Sequence, residues 1–260
     1  PLTNMGTLHW EQGAHGKALE CFETGIRLSP TSPNVASTYH VAISETGQYE
    51  RARTVFRDVV SRHPDFLKGR FLLIDVLIRL QAYRAALDQI EIVVVRFGLD
   101  PQLLKAAKVV RAQIGPMTTR KGKRPSLSLC MIVKNEAQNL PRCLENLKPL
   151  VDEMIVVDTG STDATRDVAD IFGAKVFDFK WSDDFAAARN HGLDKSTGDW
   201  ILVMDADEII APQDHKKLKN LIKKSQKRKI AYTITTRNYT RKYNSIDWKP
   251  NDGSYGDQET

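Results

Sequence analysis

Displaced by 34 residues, the first part of this chain falls into register with itself: Gly13 with Gly47, Ala18 with Ala52 and Ala86, Phe22 with Phe56 and Ile90, Pro30 with Pro64, Tyr49 with Tyr83. No other feature limits the possible folds so tightly, because a unit that short buries its apolar face only by stacking on its neighbours. Small residues such as Ala18 let one helix approach another closely. Phe22 and Phe56 fill the space between neighbouring helix pairs, and Pro30 and Pro64 stop each second helix. In the third repeat Gln81 replaces the turn glycine and Gly98 the terminal proline. One more helix follows, with Asp100 as N-cap and Pro101 at its first position. Its apolar face is Leu103, Leu104, Ala107, Val110 and Ile114, and Gly115-Pro116 ends it.

This pattern resembles the tetratricopeptide repeat. The resemblance implies an all-α solenoid over residues 1–115, and a peptide or protein subunit as the partner held in its groove. A solenoid that only orients or dimerises its neighbour fits the same residues, so a homo-oligomer stays open. Residues 116–125 are polar, basic and bounded by prolines, and read as a linker.

From Leu127 the pattern changes to apolar runs alternating with helical segments. Strands are predicted at Leu127–Val133, Met154–Val157, Lys175–Phe179, Trp200–Met204 and Ile230–Thr236. Between them come helices starting near Pro141, at Ala164–Phe172 and at Phe185–Leu193. Such alternation means an α/β domain over 126–260, a mostly parallel sheet with helices on both faces and ligands beyond the carboxyl ends of the strands. The run Trp200–Met204, entered through the turn Ser196–Asp199, reads as a buried strand delivering Asp205 and Asp207 to the sheet's edge. On extended backbone those two acids point the same way and can share one divalent cation with the phosphates bound to it. Without a cation they repel each other.

Three strand ends carry the unusual residues: Lys134-Asn135-Glu136, Asp158-Thr159-Gly160-Ser161-Thr162-Asp163 and Asp205-Ala206-Asp207-Glu208. In that order they resemble the family 2 glycosyltransferases, whose nucleotide-sugar-binding half has the GT-A fold. The segment Trp181-Ser182-Asp183-Asp184-Phe185, followed by Ala188-Arg189-Asn190, is similar to a subset that includes lipooligosaccharide core glucosyltransferases and repeat-bearing bacterial enzymes. The resemblance implies that Ile132, Asn135 and Glu136 contact the nucleoside and that Asp158-Thr159 receives the base edge, with Thr159 where many relatives have a second acid. It implies Asp205 near ribose and metal with Ala206 beside it, and Asp207 on the Mn²⁺ or Mg²⁺ that bridges the diphosphate. Arg189 is directed to the nucleotide or its phosphates. Sugar transfer from a nucleoside-diphosphate donor, with UDP as the expected nucleotide, would proceed with inversion to a protein, peptide or glycolipid acceptor. The general base of such enzymes lies well after the Asp-x-Asp motif. Neither Asp257 nor Glu259 is a convincing base, so the acceptor half is expected beyond Thr260.

Several of these residues also have a simpler role: Asp163, Asp183 and Asp184 as helix caps, Gly160 as a turn former, Glu208 as a solvent-facing or capping acid, His191 as a packed helix residue, Arg189 as an ion-pair partner.

Other classes fit less well. A dehalogenase-like phosphatase carries Asp-x-Asp on its first strand with Thr or Val two places on, whereas this chain has it on the fourth with Ile209. A dinucleotide-binding enzyme needs glycines where Lys134-Asn135-Glu136-Ala137 stands. Nucleotidyltransferases need a glycine-rich loop there. A repeat-bearing scaffold that only binds nucleotide is the alternative from outside enzymology.

Composition adds bounds: 41% hydrophobic and 27% charged residues are ordinary for a folded protein, and no run reaches the ~20 apolar residues of a membrane span. Three cysteines without a CxxC pair suit reduced thiols and a cytoplasmic setting. No secretory signal is seen, although the chain opens on Pro1 rather than Met. The net charge of +6 gathers at Arg120–Arg124 and Lys216–Lys229. No aromatics interleave with those lysines, so nucleic acid is not expected, while peripheral contact with the inner face of a membrane stays open.

Overall fold

The computed structural model describes residues 2–117, 125–224 and 230–236. Seven helices come first: α1 (Leu2–Glu11), α2 (His15–Leu28), α3 (Pro33–Thr46), α4 (Tyr49–Arg62), α5 (Leu67–Arg79), α6 (Tyr83–Phe97) and α7 (Pro101–Ile114). Helices α2, α4 and α6 open one 34-residue repeat apart. The aligned sets Ala18, Ala52, Ala86 and Phe22, Phe56, Ile90 are all buried, so the periodicity marks the core, as its spacing implies. Close approach is visible at Gly6, where an added Cβ would lie 2.5 Å from the Phe22 ring. Gly13 and Gly47 turn the chain between paired helices with φ of 74° and 68°, and Gln81 takes the same left-handed conformation at 55°. The third repeat thus keeps the turn and bears the strain of a side chain there. Asp100 caps α7 as expected, accepting from the Gln102 and Leu103 N–H groups.

The second region is α/β: β1 (Leu127–Val133), α8 (Leu140–Leu147), β2 (Glu153–Asp158), α9 (Thr165–Ile171), β3 (Lys175–Asp178), α10 (Phe185–Lys195), β4 (Trp200–Val203) and α11 (Pro212–Lys224). Its four strands are parallel in the order β3-β2-β1-β4. Connections β1-α8-β2 and β2-α9-β3 step one way and β3-α10-β4 steps back. Right-handed crossovers therefore place α10 on the face opposite α8 and α9. Helix α10 packs across β1 and β2, while α6 and α7 of the helical region pack on α8 and α9. Strand β2 is buried throughout and β1 at all but Ile132.

Two expectations need correction. Residues 230–236 form no strand, because β-propensity is realised only by pairing and they make no ladder with β4. Strand β4 is not buried on both faces: Leu202 points inward, while Ile201 and Val203 are 38% and 45% exposed. Arg120–Arg124, Lys227–Lys229, Asp257 and Glu259 lie outside the described residues. In α11 the inward residue is Ile222, with Leu218 and Leu221 half-buried and Lys216, Lys217, Lys223 and Lys224 exposed.

Candidate active site

Parallel strands bring their carboxyl ends to one edge, and the strand order reverses direction at β1. The loops after β1 and β4 diverge there, which is where open α/β sheets bind ligands. Asn135 and Glu136 stand on the β1 side and Asp205–Glu208 on the β4 side.

The loops after β1 and β2 are tied together. Asn135 has a left-handed backbone, φ 58°, which its short polar side chain tolerates. Its N–H donates to Ser161 Oγ at 2.9 Å, and its side-chain carbonyl accepts from the Thr162 N–H at 2.8 Å. The Glu136 N–H donates to Thr165 Oγ1 at 2.7 Å and the Ala137 N–H to Asp163 Oδ2 at 3.1 Å. Asp163 therefore bridges the two loops, and Ala164, not Asp163, occupies the N-cap of α9. Asp158 is buried; its carboxylate accepts from the Ser161 N–H at 3.2 Å and from Arg166 Nη1 at 3.1 Å. Thr159 is buried too, its N–H and Oγ1 both donating to the Val133 carbonyl at 3.0 and 3.1 Å. Ile132 and Glu136 are half-buried and Asn135 exposed.

The acidic lip is a turn. Strand β4 stops at Val203, the Glu208 N–H donates to the Asp205 carbonyl at 3.2 Å, and Glu208 Oε2 accepts from the Asp205 N–H at 3.1 Å. These reciprocal bonds close the loop toward Pro212, so Asp205 and Asp207 do not sit on extended backbone as expected. Glu208 is neither a solvent-facing acid nor the cap of α11. Ala206 is buried between its neighbours while both aspartates are exposed. Beneath the turn, the Cys143 thiol contacts the Asp205 carbonyl with sulfur and oxygen 3.7 Å apart. Burial, reinforced by the charges of Glu208, Asp207 and Asp205, pushes its pKa up to about 12. Three carboxylates thus set a negative potential at the end of β4.

Opposite them stands Arg189. Gly192, one turn along α10, lets the helix settle on the sheet, since a Cβ there would lie 2.6 Å from Cys130 Sγ and 3.0 Å from Val157 Cγ2. From that platform Arg189 Nη2 donates to Asp205 Oδ1 at 3.2 Å. The pair is open enough to solvent to be worth only about 0–1 kcal/mol. Nη1 of the same guanidinium is buried with no hydrogen-bond partner among the described residues, a situation that costs roughly 1–3 kcal/mol.

Among the described residues no three His, Cys, Asp or Glu side chains converge as a metal cage. The donor set does suit a hard divalent cation that takes most of its oxygen ligands from a phosphorylated molecule and water: two exposed carboxylates in a negative field.

Residues 128–258 match the model of Glycosyl transferase family 2. The chain belongs to that family. A TPR repeat-containing protein of Synechococcus elongatus is 48% identical over 108 residues, covering 42% of this chain and 26% of that protein. The SPbeta prophage-derived glycosyltransferase SunS of Bacillus subtilis is 33% identical over 100 residues, covering 38% of this chain and 24% of SunS. An uncharacterized glycosyltransferase of Rickettsia felis is 35% identical over 109 residues, covering 42% of this chain and 38% of that protein. The matched part therefore spans between 24% and 38% of the length of these relatives.

Within this family 2 segment, sequence reasoning passed over Arg166 and Cys143 and gave Glu208 another role. Arg166 joins Asp158 to Asp178, pairing with both, yet an arginine on a predicted helix carries no signal of its partners. Glu208 closes the lip and Cys143 underlies it; the one readable hint was that Glu208 extends the acidic run. Of the helix caps expected after β3, Asp184 caps α10, while Asp183 accepts from Trp181 Nε1. His191 packs against the Phe177 and Phe179 rings.

Proposed function

We propose that this chain carries the donor site of an inverting glycosyltransferase that moves a sugar from a nucleoside diphosphate, UDP in our reading, to a protein, peptide or glycolipid acceptor. The observation that carries the reading is the acidic turn Asp205–Glu208 at the point where strand order reverses, with Arg189 against it, inside the family 2 segment. Breaking the bond between sugar C1 and the diphosphate puts negative charge on the leaving group. A bound Mn²⁺ or Mg²⁺ supplies charge stabilisation there, and Asp205 and Asp207 are the residues to hold it. Arg189 adds a fixed positive charge at the same place. Asn135, Glu136 and Ile132 line the nucleoside side, and Asp158, Thr159 and Ala206 shape the loops that present them. The half-buried Glu136, which accepts from Asn139 Nδ2 at 2.9 Å, is held ready to accept a further hydrogen bond.

The helical repeats are proposed to hold a protein or peptide partner. Among the described residues no helix is long and apolar enough to cross a membrane. A cytoplasmic setting, with α11's exposed lysines toward an anionic surface, is part of the same proposal.

Asp207→Ala tests the reading. Release of free sugar from UDP-glucose, UDP-N-acetylglucosamine and other sugar nucleotides is followed by the full chain with Mn²⁺ and with EDTA. We expect Mn²⁺-dependent turnover of one donor and a loss of about 100-fold or more in the variant. Turnover that ignores both EDTA and the substitution removes the mechanism. UDP binding with no turnover of any donor leaves the nucleotide-binding scaffold.

A further inference from the structure

Arg189 holds the very carboxylate that a cation needs. Its Nη2 sits 3.2 Å from Asp205 Oδ1, while its Nη1 is buried without a hydrogen-bond partner among the described residues. The guanidinium is therefore only half satisfied where it lies. It cannot shift bodily toward the sheet, because α10 already touches β1 and β2 through Gly192. What it can do is rotate its long side chain at the lip, where it retains 28% exposure beside an Asp205 side chain that is 62% exposed. A diphosphate offers several anionic oxygens in place of one carboxylate oxygen, in the fork geometry that a guanidinium matches.

We propose that Arg189 is a positioning residue that exchanges counter-ions: without donor it neutralises Asp205 and stands in for the cation, and with donor it turns to the diphosphate and releases Asp205 to the metal. The proposal rests on the donor-site reading above and adds to the direct contact between cation and diphosphate a second coupling, carried by a side chain of the protein. Because Arg189 competes with the cation for Asp205, a divalent ion alone binds weakly. Because the diphosphate draws Arg189 away, each ligand raises the affinity for the other by the same factor. The consequence is a site that does not collect metal until donor arrives.

The test is a Mn²⁺ titration of the full chain, free Mn²⁺ being read by electron paramagnetic resonance, with and without saturating UDP and with the Mn²⁺ held by UDP alone subtracted from a protein-free control, for the wild type, Arg189→Gln and Arg189→Lys. In Arg189→Gln, Mn²⁺ alone is expected to bind several-fold tighter, since Asp205 is freed. The increase in Mn²⁺ affinity that UDP produces is expected to shrink by the same several-fold factor. Arg189→Lys, which keeps the charge without the fork, should fall between the two and serves if the glutamine variant fails to fold. A purely structural arginine would weaken Mn²⁺ and UDP binding together, which overturns the proposal. So does a UDP–Mn²⁺ coupling that is unchanged in both variants. If UDP and Mn²⁺ bind independently in the wild type, the metal-dependent donor reading itself falls.

Discussion

Glu153 shows how far an acid's meaning depends on which end of a strand it occupies. It is buried at the amino end of β2, away from the carboxyl edge where Asp205 lies. It accepts from Lys175 Nζ at 2.7 Å, Ser128 Oγ at 2.7 Å and the Thr197 N–H at 2.8 Å. Burial pushes its pKa up, but these hydrogen bonds together outweigh burial and hold it below its ordinary value of 4.5. A folded-state pKa below the unfolded one means a stabilising contribution that is complete above about pH 4.5 and is lost as pH falls through the folded value. Glu153→Gln should cost about 1.5–3 kcal/mol at pH 7 and much less under acid conditions, as urea denaturation at two pH values would show. A loss of equal size at both would mean that packing, not charge, is what the residue supplies. Asp205 and Glu153 are both acids next to apolar runs; only their position along the strand separates a candidate ligand holder from a structural knot.

At the scale of elements, helix α10 sets the geometry of the lip through the absence of one carbon. Gly192 allows the helix to touch Cys130 and Val157, and Arg189 extends from the same helix to Asp205. Gly192→Ala should push α10 off the sheet, since its Cβ would lie 2.6 Å from Cys130 Sγ, and destabilise the fold by about 1–3 kcal/mol. Because the displacement is passed to Arg189, UDP affinity should fall with it, whereas Gly16→Ala, which meets open space in α2, should leave UDP affinity unchanged. Calorimetric UDP titration of the two variants distinguishes a local effect from a general one. The opposite case is Gln81, where the repeat tolerates a side chain in a left-handed turn because flanking α5 and α6 are already packed.

For the whole molecule, the helical and sheet regions meet through buried charge. Arg111 of α7 donates to the Ile171 and Gly115 carbonyls and lies 3.7 Å from Glu91 of α6. Glu91 pairs in turn with Lys148, at the end of α8, at 2.5 Å. Lys108–Asp167 at 2.8 Å and the Met117 N–H to the Gly173 carbonyl at 2.8 Å complete the seam. Burial pushes Glu91's pKa up and Arg111's down, each opposed by its neighbours, so removing one partner strands the other. Arg111→Met should cost about 3 kcal/mol and split one calorimetric unfolding transition into two, the repeats and the sheet melting separately. A single transition at unchanged temperature would mean that apolar contacts alone join the regions. With the seam intact, the repeats stay in a fixed relation to the acidic lip.

The local pattern was enough to read the helix pairs, the alternation of strand and helix, and three of the loops that reach the carboxyl edge. Apolar periodicity and capping residues act over a few positions, and Ala18, Phe22, Asp100 and Asp184 do what their neighbours in sequence imply. The chain alone could not say that Asp205 and Asp207 stand on a turn, that Asp158 is engaged by Arg166, or that residues 230–236 form no strand. Those outcomes depend on partners far away along the chain or on competing hydrogen bonds: Glu208 folding back on Asp205, Arg189 arriving from another helix, and a sheet edge that a propensity cannot see. Local chemistry chose the elements, and long-range packing chose which of their polar atoms remain free to meet a ligand.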